Sequence, residues 1–205
     1  MLAVSAGLAA GLASLLSGSD SSPPAPQPRA ALAEVHAVSA AQAAAFGILR
    51  RPRTAADSFV QIHQGAGPFG SNPSLARTLS EPLRGLSRGF VSVIPGNGWV
   101  CLRLPITPES VYYNCQPTAR AAGGALVITQ RPPGPLRASN QLVVGLVPDG
   151  VRAVTIKGGD GVAHRVAVRQ NVYDVELFDP RTVSMVLPGG RAVHLSLIAR
   201  TPPRP

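Results

Sequence analysis

Residues 142–151 read Leu-Val-Val-Gly-Leu-Val-Pro-Asp-Gly-Val, an apolar run that ends in a turn sequence. In Pro148-Asp149-Gly150, proline fixes its own φ angle, aspartate can bond nearby backbone, and glycine accepts a positive φ. Comparable turn sequences recur at residues 157–161, 178–180 and 188–190. The segments between them are about five to nine residues long, which is typical of β-strands. Residues 142–197 are therefore predicted to form short strands joined by tight turns.

Alternation of apolar and polar residues supports these strands, because successive side chains of a strand point to opposite faces of a sheet. Tyr173, Val175 and Leu177 share one face and leave Asp174 and Glu176 on the other. Segments 183–187 and 193–197 repeat the pattern with apolar residues at every second position. Between residues 164 and 169, the two arginines favour the face of Arg165 and Arg169 as the one in water.

Strands are also predicted in the part of the chain before residue 142. The chain contains 21 glycines and 21 prolines, which interrupt helices and strands and so favour many short elements. The predicted fold class is mainly β, with an antiparallel domain over residues 88–200 of sandwich-like or open-barrel architecture, preceded by short helices. The alternative is an α+β fold whose helices cover one face of a single sheet. The strands predicted from Phe90 onward, up to the first strand of the 142–197 stretch, are Phe90–Ile94, Trp99–Leu104, Val111–Cys115, Ala125–Gln130 and Leu142–Val147.

Residues 30–87 are predicted to form a helical and loop segment. Apolar residues recur every three or four positions over residues 30–51, which indicates a helix that ends before Pro52. Thr54 and Asp57 resemble the N-cap and the N3 position of another short helix. Residues 74–79 are expected to form one or two helical turns.

The N-terminal residues predict export. Residues 1–19 contain no charged side chain and are rich in leucine and alanine, which indicates a signal peptide or an N-terminal membrane anchor. Residues 20–29 are a Pro/Ser-rich linker, and residues 201–205 are expected to be a frayed tail. The predicted location is extracytoplasmic, either anchored to the membrane by this segment or secreted.

The net charge of +9 favours an anionic partner. The basic residues are scattered, and the one dense cluster is Arg50-Arg51-Pro52-Arg53. No basic stripe is interleaved with aromatic residues, so nucleic acid is not favoured as the partner. The charge is better matched to an anionic envelope or membrane surface, although the sequence does not identify a specific partner.

Cys101 and Cys115 are the only cysteines, and each lies in a predicted strand. A hairpin that turns between Pro105 and Ser110 brings them together, and paired cysteines in an exported protein usually form a disulfide. Two buried thiols, or a metal or redox pair, are the alternatives. No CxxC spacing supports the metal alternative.

Two motifs resemble catalytic or nucleotide-binding signatures. Gly85-Leu86-Ser87-Arg88-Gly89 matches the G-x-S-x-G nucleophile pattern, and Asp174 and His194 follow in the order of a hydrolase triad. A strand follows Ser87 where the pattern needs a helix, so a serine hydrolase using Ser87 is only the alternative function. Gly65–Gly70 matches G-x-G-x-x-G, but Pro68 lacks the N–H that a phosphate would use. No catalytic residue, cofactor or metal site is predicted, and the four histidines have no metal-ligand spacing.

Three segments carry a resemblance to known proteins: Phe46–Asp57, Gly145–Val151 and Asn171–Tyr173. Together with the cysteine hairpin, they resemble uncharacterised extracytoplasmic proteins of actinobacteria over roughly residues 40–198. The resemblance implies an extracytoplasmic protein and no particular activity. The function expected from the sequence is a non-catalytic, envelope-associated binding or structural module, and the chain is not expected to be an enzyme.

Overall fold

The computed structural model describes residues 36–59, 68–79, 90–105, 110–130 and 140–197. Within these ranges the chain forms eleven strands, three short α-helices and three 3₁₀ turns. The strands form three sheets, and every strand pair is antiparallel. The mainly β prediction is confirmed, and the sheets seen in these ranges stack as in a sandwich and do not close into a barrel.

The helix predicted over residues 30–51 is, in its described part, two short helices that break at Phe46. The Phe46 backbone is extended, with φ −132° and ψ 105°. The break is stabilised from outside the helix, because the N–H groups of Gly47 and Ile48 donate to side chains of two distant turns. As predicted, the second helix ends before Pro52. The helices are α1 (Ala40–Ala45), α2 (Gly47–Arg50) and α3 (Thr118–Ala122), and the 3₁₀ turns are Ala55–Phe59, Pro68–Gly70 and Pro73–Leu75.

The first sheet has the order β1-β2-β3-β4 and follows the chain. Its first strand replaces part of the helical turns expected over residues 74–79, since only residues 73–75 form a 3₁₀ turn there. The sequence did not predict α3, which follows this sheet directly. The strands are β1 (Arg77–Thr78), β2 (Ser92–Pro95), β3 (Trp99–Pro105) and β4 (Val111–Pro117).

The remaining strands divide between two sheets, so the chain from residue 140 to residue 197 crosses repeatedly from one sheet to the other. The middle sheet has the order β5-β6-β9, and the third sheet has the order β11-β10-β7-β8. The middle-sheet strands are β5 (Leu126–Gln130), β6 (Asn140–Leu146) and β9 (Val172–Phe178). The third-sheet strands are β7 (Ala153–Gly158), β8 (Ala163–Ala167), β10 (Pro180–Val186) and β11 (Ala192–Ser196).

The middle sheet is covered on both faces. Leu142, Val144 and Leu146 of β6 pack with the first sheet and with Phe46, whereas Val143 packs against the third sheet. This explains why β6 is a continuous apolar run, because a strand that is buried on both faces has no side for polar residues. The alternating strands of the third sheet have one face in the core and the other in water, as their sequences predicted.

Candidate functional site

The predicted disulfide between Cys101 and Cys115 is confirmed. The two residues are direct partners in the β3–β4 register, and their Cα atoms are 4.0 Å apart, slightly closer than the usual disulfide range of about 4.4–6.8 Å. Cys101 is fully buried on the outer face of the first sheet, where it contacts Ile94 and Ala76. No free cysteine is present, so the two alternatives, a pair of buried thiols and a metal or redox pair, are wrong.

Reduction of this disulfide is expected to lower the melting temperature by roughly 6–12 °C. The cysteines are 14 residues apart, and closing a loop of this length restricts the unfolded chain by about 3 kcal/mol. Thermal unfolding monitored by circular dichroism, with and without a phosphine reductant, measures the effect. A variant with Cys101→Ala and Cys115→Ala is the control, since the reductant should not change its melting temperature. Equal melting temperatures of the oxidised and reduced parent would show that the bond adds no stability.

The two described members of the possible hydrolase triad are not brought together. Asp174 lies on the face of β9 that points away from the third sheet, and its carboxylate forms an ion pair with Arg169 at 3.2 Å. His194 lies on the solvent face of β11, and its Nδ1 is 2.9 Å from the Ser184 hydroxyl. The core between the middle and third sheets separates them. Ser87 lies outside the described residues.

The second motif, Gly65–Gly70, is described only from Pro68 onward. Phe69 stacks on Trp99 of the first sheet with ring centroids 4.1 Å apart, so this part of the motif packs against the sheet. Across the described ranges, no group of three His, Cys, Asp or Glu side chains is placed to hold a metal ion. Of the four histidines, His63 also lies outside those ranges.

A buried carboxylate joins the segment after α2 to the first sheet. Asp57 accepts two hydrogen bonds from the Arg51 guanidinium, at 2.7 and 2.8 Å, and one each from the backbone N–H groups of Thr54 and Thr78, both at 2.6 Å. We call these four residues the Asp57 junction. The predicted capping pair of Thr54 and Asp57 is therefore present, although it begins a 3₁₀ turn. The sequence did not show that the same carboxylate also binds Arg51 and β1.

A second carboxylate, in the turn after β6, holds the break between α1 and α2. Asp149 accepts hydrogen bonds from the Gly47 N–H at 2.7 Å, from the Asn171 amide at 2.8 Å and from Arg50 at 2.6 Å. The Asn171 side chain in turn accepts from the Ile48 N–H at 2.9 Å. These residues form the Asp149 junction. The sequence explained Asp149 only as a turn residue and gave no sign of these long-range partners.

Most residues of the two junctions lie in the segments Phe46–Asp57, Gly145–Val151 and Asn171–Tyr173, and Thr78 of β1 is the exception. Phe46–Asp57 supplies Gly47, Arg51 and Asp57, while the other two segments supply Asp149 and Asn171. The carboxylates of Asp57 and Asp149 each accept several hydrogen bonds from N–H groups of the protein itself. These segments therefore have a structural role in fixing α1 and α2 to the sheets.

The free energy of unfolding is expected to fall as the pH drops from about 5 to about 2, because the two junctions need ionised carboxylates. Burial opposes the charge of Asp57, but the hydrogen bonds from Arg51, Thr78 and Thr54 outweigh it and hold its pKa well below the usual range. Burial is likewise outweighed at Asp149 by hydrogen bonds from Asn171, Gly47 and Arg50, so its pKa is also lowered. Protons therefore bind the unfolded chain more readily than the folded one, and acid favours unfolding.

Denaturant unfolding at a series of pH values measures this dependence. A variant with Asp57→Asn and Asp149→Asn should be less stable than the parent near neutral pH and should lose less stability on acidification. An identical slope of stability against pH in parent and variant would mean that other groups cause the acid sensitivity.

The solvent face of the third sheet is basic and rich in hydroxyl groups. We call it the basic face. It presents hydroxyls, small side chains and cations, and none of its strand positions holds a carboxylate or a Phe, Tyr or Trp ring. Asp160 and Asp179 lie in turns at one end of the sheet, where Asp179 pairs with Arg181. The residues of the basic face are Ala153, Thr155, Lys157, Ala163, Arg165, Ala167, Thr182, Ser184, Val186, Ala192, His194 and Ser196.

One row of this face crosses all four strands. His194 is the register partner of Ser184, Ser184 of Thr155, and Thr155 of Arg165. These four residues, named here the basic row, line an open groove of about 590 Å³ together with Arg152. A second groove of about 410 Å³ lies beside the Asp149 junction, and Gly150 and Arg152 line both grooves. The sequence predicted that Arg165 faces water, but the row depends on registers between strands that are distant in the chain.

The chain was compared with protein-family models, with curated proteins and with solved structures, and none of the three comparisons finds a match. In the described part of the chain, no helix has the length and hydropathy needed to span a membrane. The segment expected to be a signal peptide or anchor, residues 1–19, lies outside that part.

Proposed function

We propose that this protein is a non-catalytic binding module that acts outside the cytoplasm in association with an anionic envelope surface. The observation that carries the proposal is the disulfide between Cys101 and Cys115. Disulfides form and persist in oxidising compartments and are rare in the cytosol. The uncharged N-terminal sequence of residues 1–19 supports the same location.

The charge of the chain supports an anionic binding partner. The net charge is +9, and the basic face collects Lys157, Arg165 and His194 on one side of one sheet. A positive surface attracts polyanions and anionic membranes without any chemical step. Binding is favoured over catalysis because Asp174 and His194 lie on opposite sides of a sheet core.

Co-sedimentation of the oxidised full chain with isolated bacterial cell envelopes tests the proposal. The chain should sediment with the envelopes at about 50 mM salt and should be largely released by about 200 mM salt, because the attraction is electrostatic. An acidic protein of similar size is the control and should remain in the supernatant. Failure of the chain to sediment at low salt would refute the proposal.

A serine hydrolase using Ser87 remains the alternative function. It is tested by labelling the oxidised chain with a fluorophosphonate probe, with Ser87→Ala as the matched variant. The proposed binding function expects no labelling of either protein. Labelling of the parent that is lost in Ser87→Ala would establish the alternative.

A further inference from the structure

We infer that the basic face binds a linear polyanion without nucleobases, which lies across the strands of the third sheet along the basic row. The inference rests on the proposed function and goes further by naming the surface and the ligand class. It is carried by the register that aligns His194, Ser184, Thr155 and Arg165, and by the groove that these residues line.

The length of the basic row favours a polymer over a single small anion. Neighbouring strands lie about 4.8 Å apart, so the backbones that carry His194 and Arg165 are on the order of 14 Å apart. A single phosphate or carboxylate cannot contact both ends of the row. A polyanion with repeated charges can contact both ends of the row at once. After the first contact has formed, each further contact forms within the same complex and needs no second binding event.

The side chains in the row provide donors along its whole length. A guanidinium presents a planar set of N–H donors that suits phosphate and carboxylate oxygens. Between Arg165 and His194, the Thr155 hydroxyl can donate to the same ligand, and the Ser184 hydroxyl can do so when His194 Nδ1–H donates to it. Alanines flank the row on β7, β8 and β11, so the backbone of the polyanion can approach the sheet closely. Arg152 adds a further cation to the lining of the groove.

Two other anionic partners fit this face less well. Single-stranded nucleic acids are usually held by bases stacked on aromatic rings, and the strand positions of the basic face carry no Phe, Tyr or Trp. Proteins that insert into a bilayer surface present several large apolar side chains. The only large apolar side chain among these positions is Val186, which is 62% exposed.

The test is fluorescence anisotropy of the oxidised full chain with labelled linear polyphosphates of increasing length. Affinity should rise with polymer length until the polymer spans the row, and inorganic phosphate alone should compete poorly. Arg165→Gln and Arg152→Gln should each weaken binding roughly fivefold at low salt. Each should also reduce the slope of log affinity against log salt by about 0.7. Arg53→Gln, at an exposed position after α2, removes the same charge and should change affinity less than about twofold.

Specific results would overturn the inference. An equal loss of affinity in Arg165→Gln and Arg53→Gln would show that only net charge matters. Tighter binding to vesicles containing phosphatidylglycerol, or to a thymidine oligonucleotide, than to polyphosphate of similar charge would assign the face to another partner. If the parent sediments with envelopes but does not bind polyphosphate, this inference fails while the proposed function stands. If it does neither, both fail.

Discussion

Replacing Asp57 with alanine is expected to lower the free energy of unfolding by about 3–5 kcal/mol, because removing one partner of a buried ion pair leaves the other uncompensated. The Asp57 side chain is fully buried, and its loss leaves the Arg51 guanidinium without its carboxylate. The N–H groups of Thr54 and Thr78 also lose their acceptor. Since Thr78 is in β1, the first sheet should lose one of its attachments to the segment after α2, while the hydrogen bonds of Arg51 with the Thr78 carbonyl and the Arg77 side chain remain.

Urea unfolding of the oxidised parent and variant at neutral pH measures this effect. Asp160→Ala is the matched control, because Asp160 is an exposed turn aspartate that accepts one hydrogen bond from the Val162 N–H. The control should lose no more than about 1 kcal/mol. Similar losses in the two variants would show that the Asp57 junction is no more important than an ordinary surface turn.

Replacing Gly145 with alanine is expected to destabilise the protein by about 3 kcal/mol, because the core has no room for the added methyl group. Gly145 is the direct partner of Tyr173 in the β6–β9 register. A Cβ at position 145 would overlap the Cζ and hydroxyl oxygen of Tyr173. Tyr173 is fully buried and β6 is covered on both faces, so neither the ring nor the strand can move away easily.

A double-mutant cycle separates this overlap from a general effect of the alanine. In a Tyr173→Leu background, Gly145→Ala should cost less than half of what it costs in the parent, because the overlapping ring is gone. The Tyr173 hydroxyl is buried and has no hydrogen-bond partner among the described residues, so Tyr173→Phe should change stability by less than about 1 kcal/mol. The same cost of Gly145→Ala in both backgrounds would rule out the overlap as its cause.

The strands could be predicted from the sequence because their signals are local. The alternation of Tyr173, Val175 and Leu177 correctly identified the face of β9 that packs in the core with the third sheet, but the Asp174 side chain on the other face is also largely buried. The division of strands between sheets has no such signal. The strands β6 and β9 pair across an intervening hairpin, β7–β8, that belongs to the third sheet. A period of two residues shows which side of a strand is buried but not which strand lies next to it.

The N-terminal segment shows where local patterns are overridden by distant contacts. An apolar spacing of three and four predicted one helix through Phe46, but the Gly47 N–H binds Asp149, 102 residues away. Gln42, on the same predicted helix, is buried because its amide donates to the carbonyls of Gly96 and Trp99. Neither contact follows from the spacing of apolar residues.

Only part of the candidate site could be predicted from the sequence. The pairing of Cys101 and Cys115 could be predicted because a short turn brings adjacent strands together. The solvent exposure of Arg165 could also be predicted from alternation. Its alignment with His194 could not, since the row passes through β7 and β10, which are paired only in the folded sheet.

The location outside the cytoplasm is tested most directly by trapping the thiols of the native protein. Cells are quenched in acid, the protein is denatured without reductant, and free thiols are alkylated with a polyethylene glycol maleimide that shifts the electrophoretic band. The chain in the envelope fraction should show no shift until it is reduced, and after reduction both Cys101 and Cys115 should react. Two reactive thiols in the unreduced envelope protein would contradict both the disulfide and the location inferred from it.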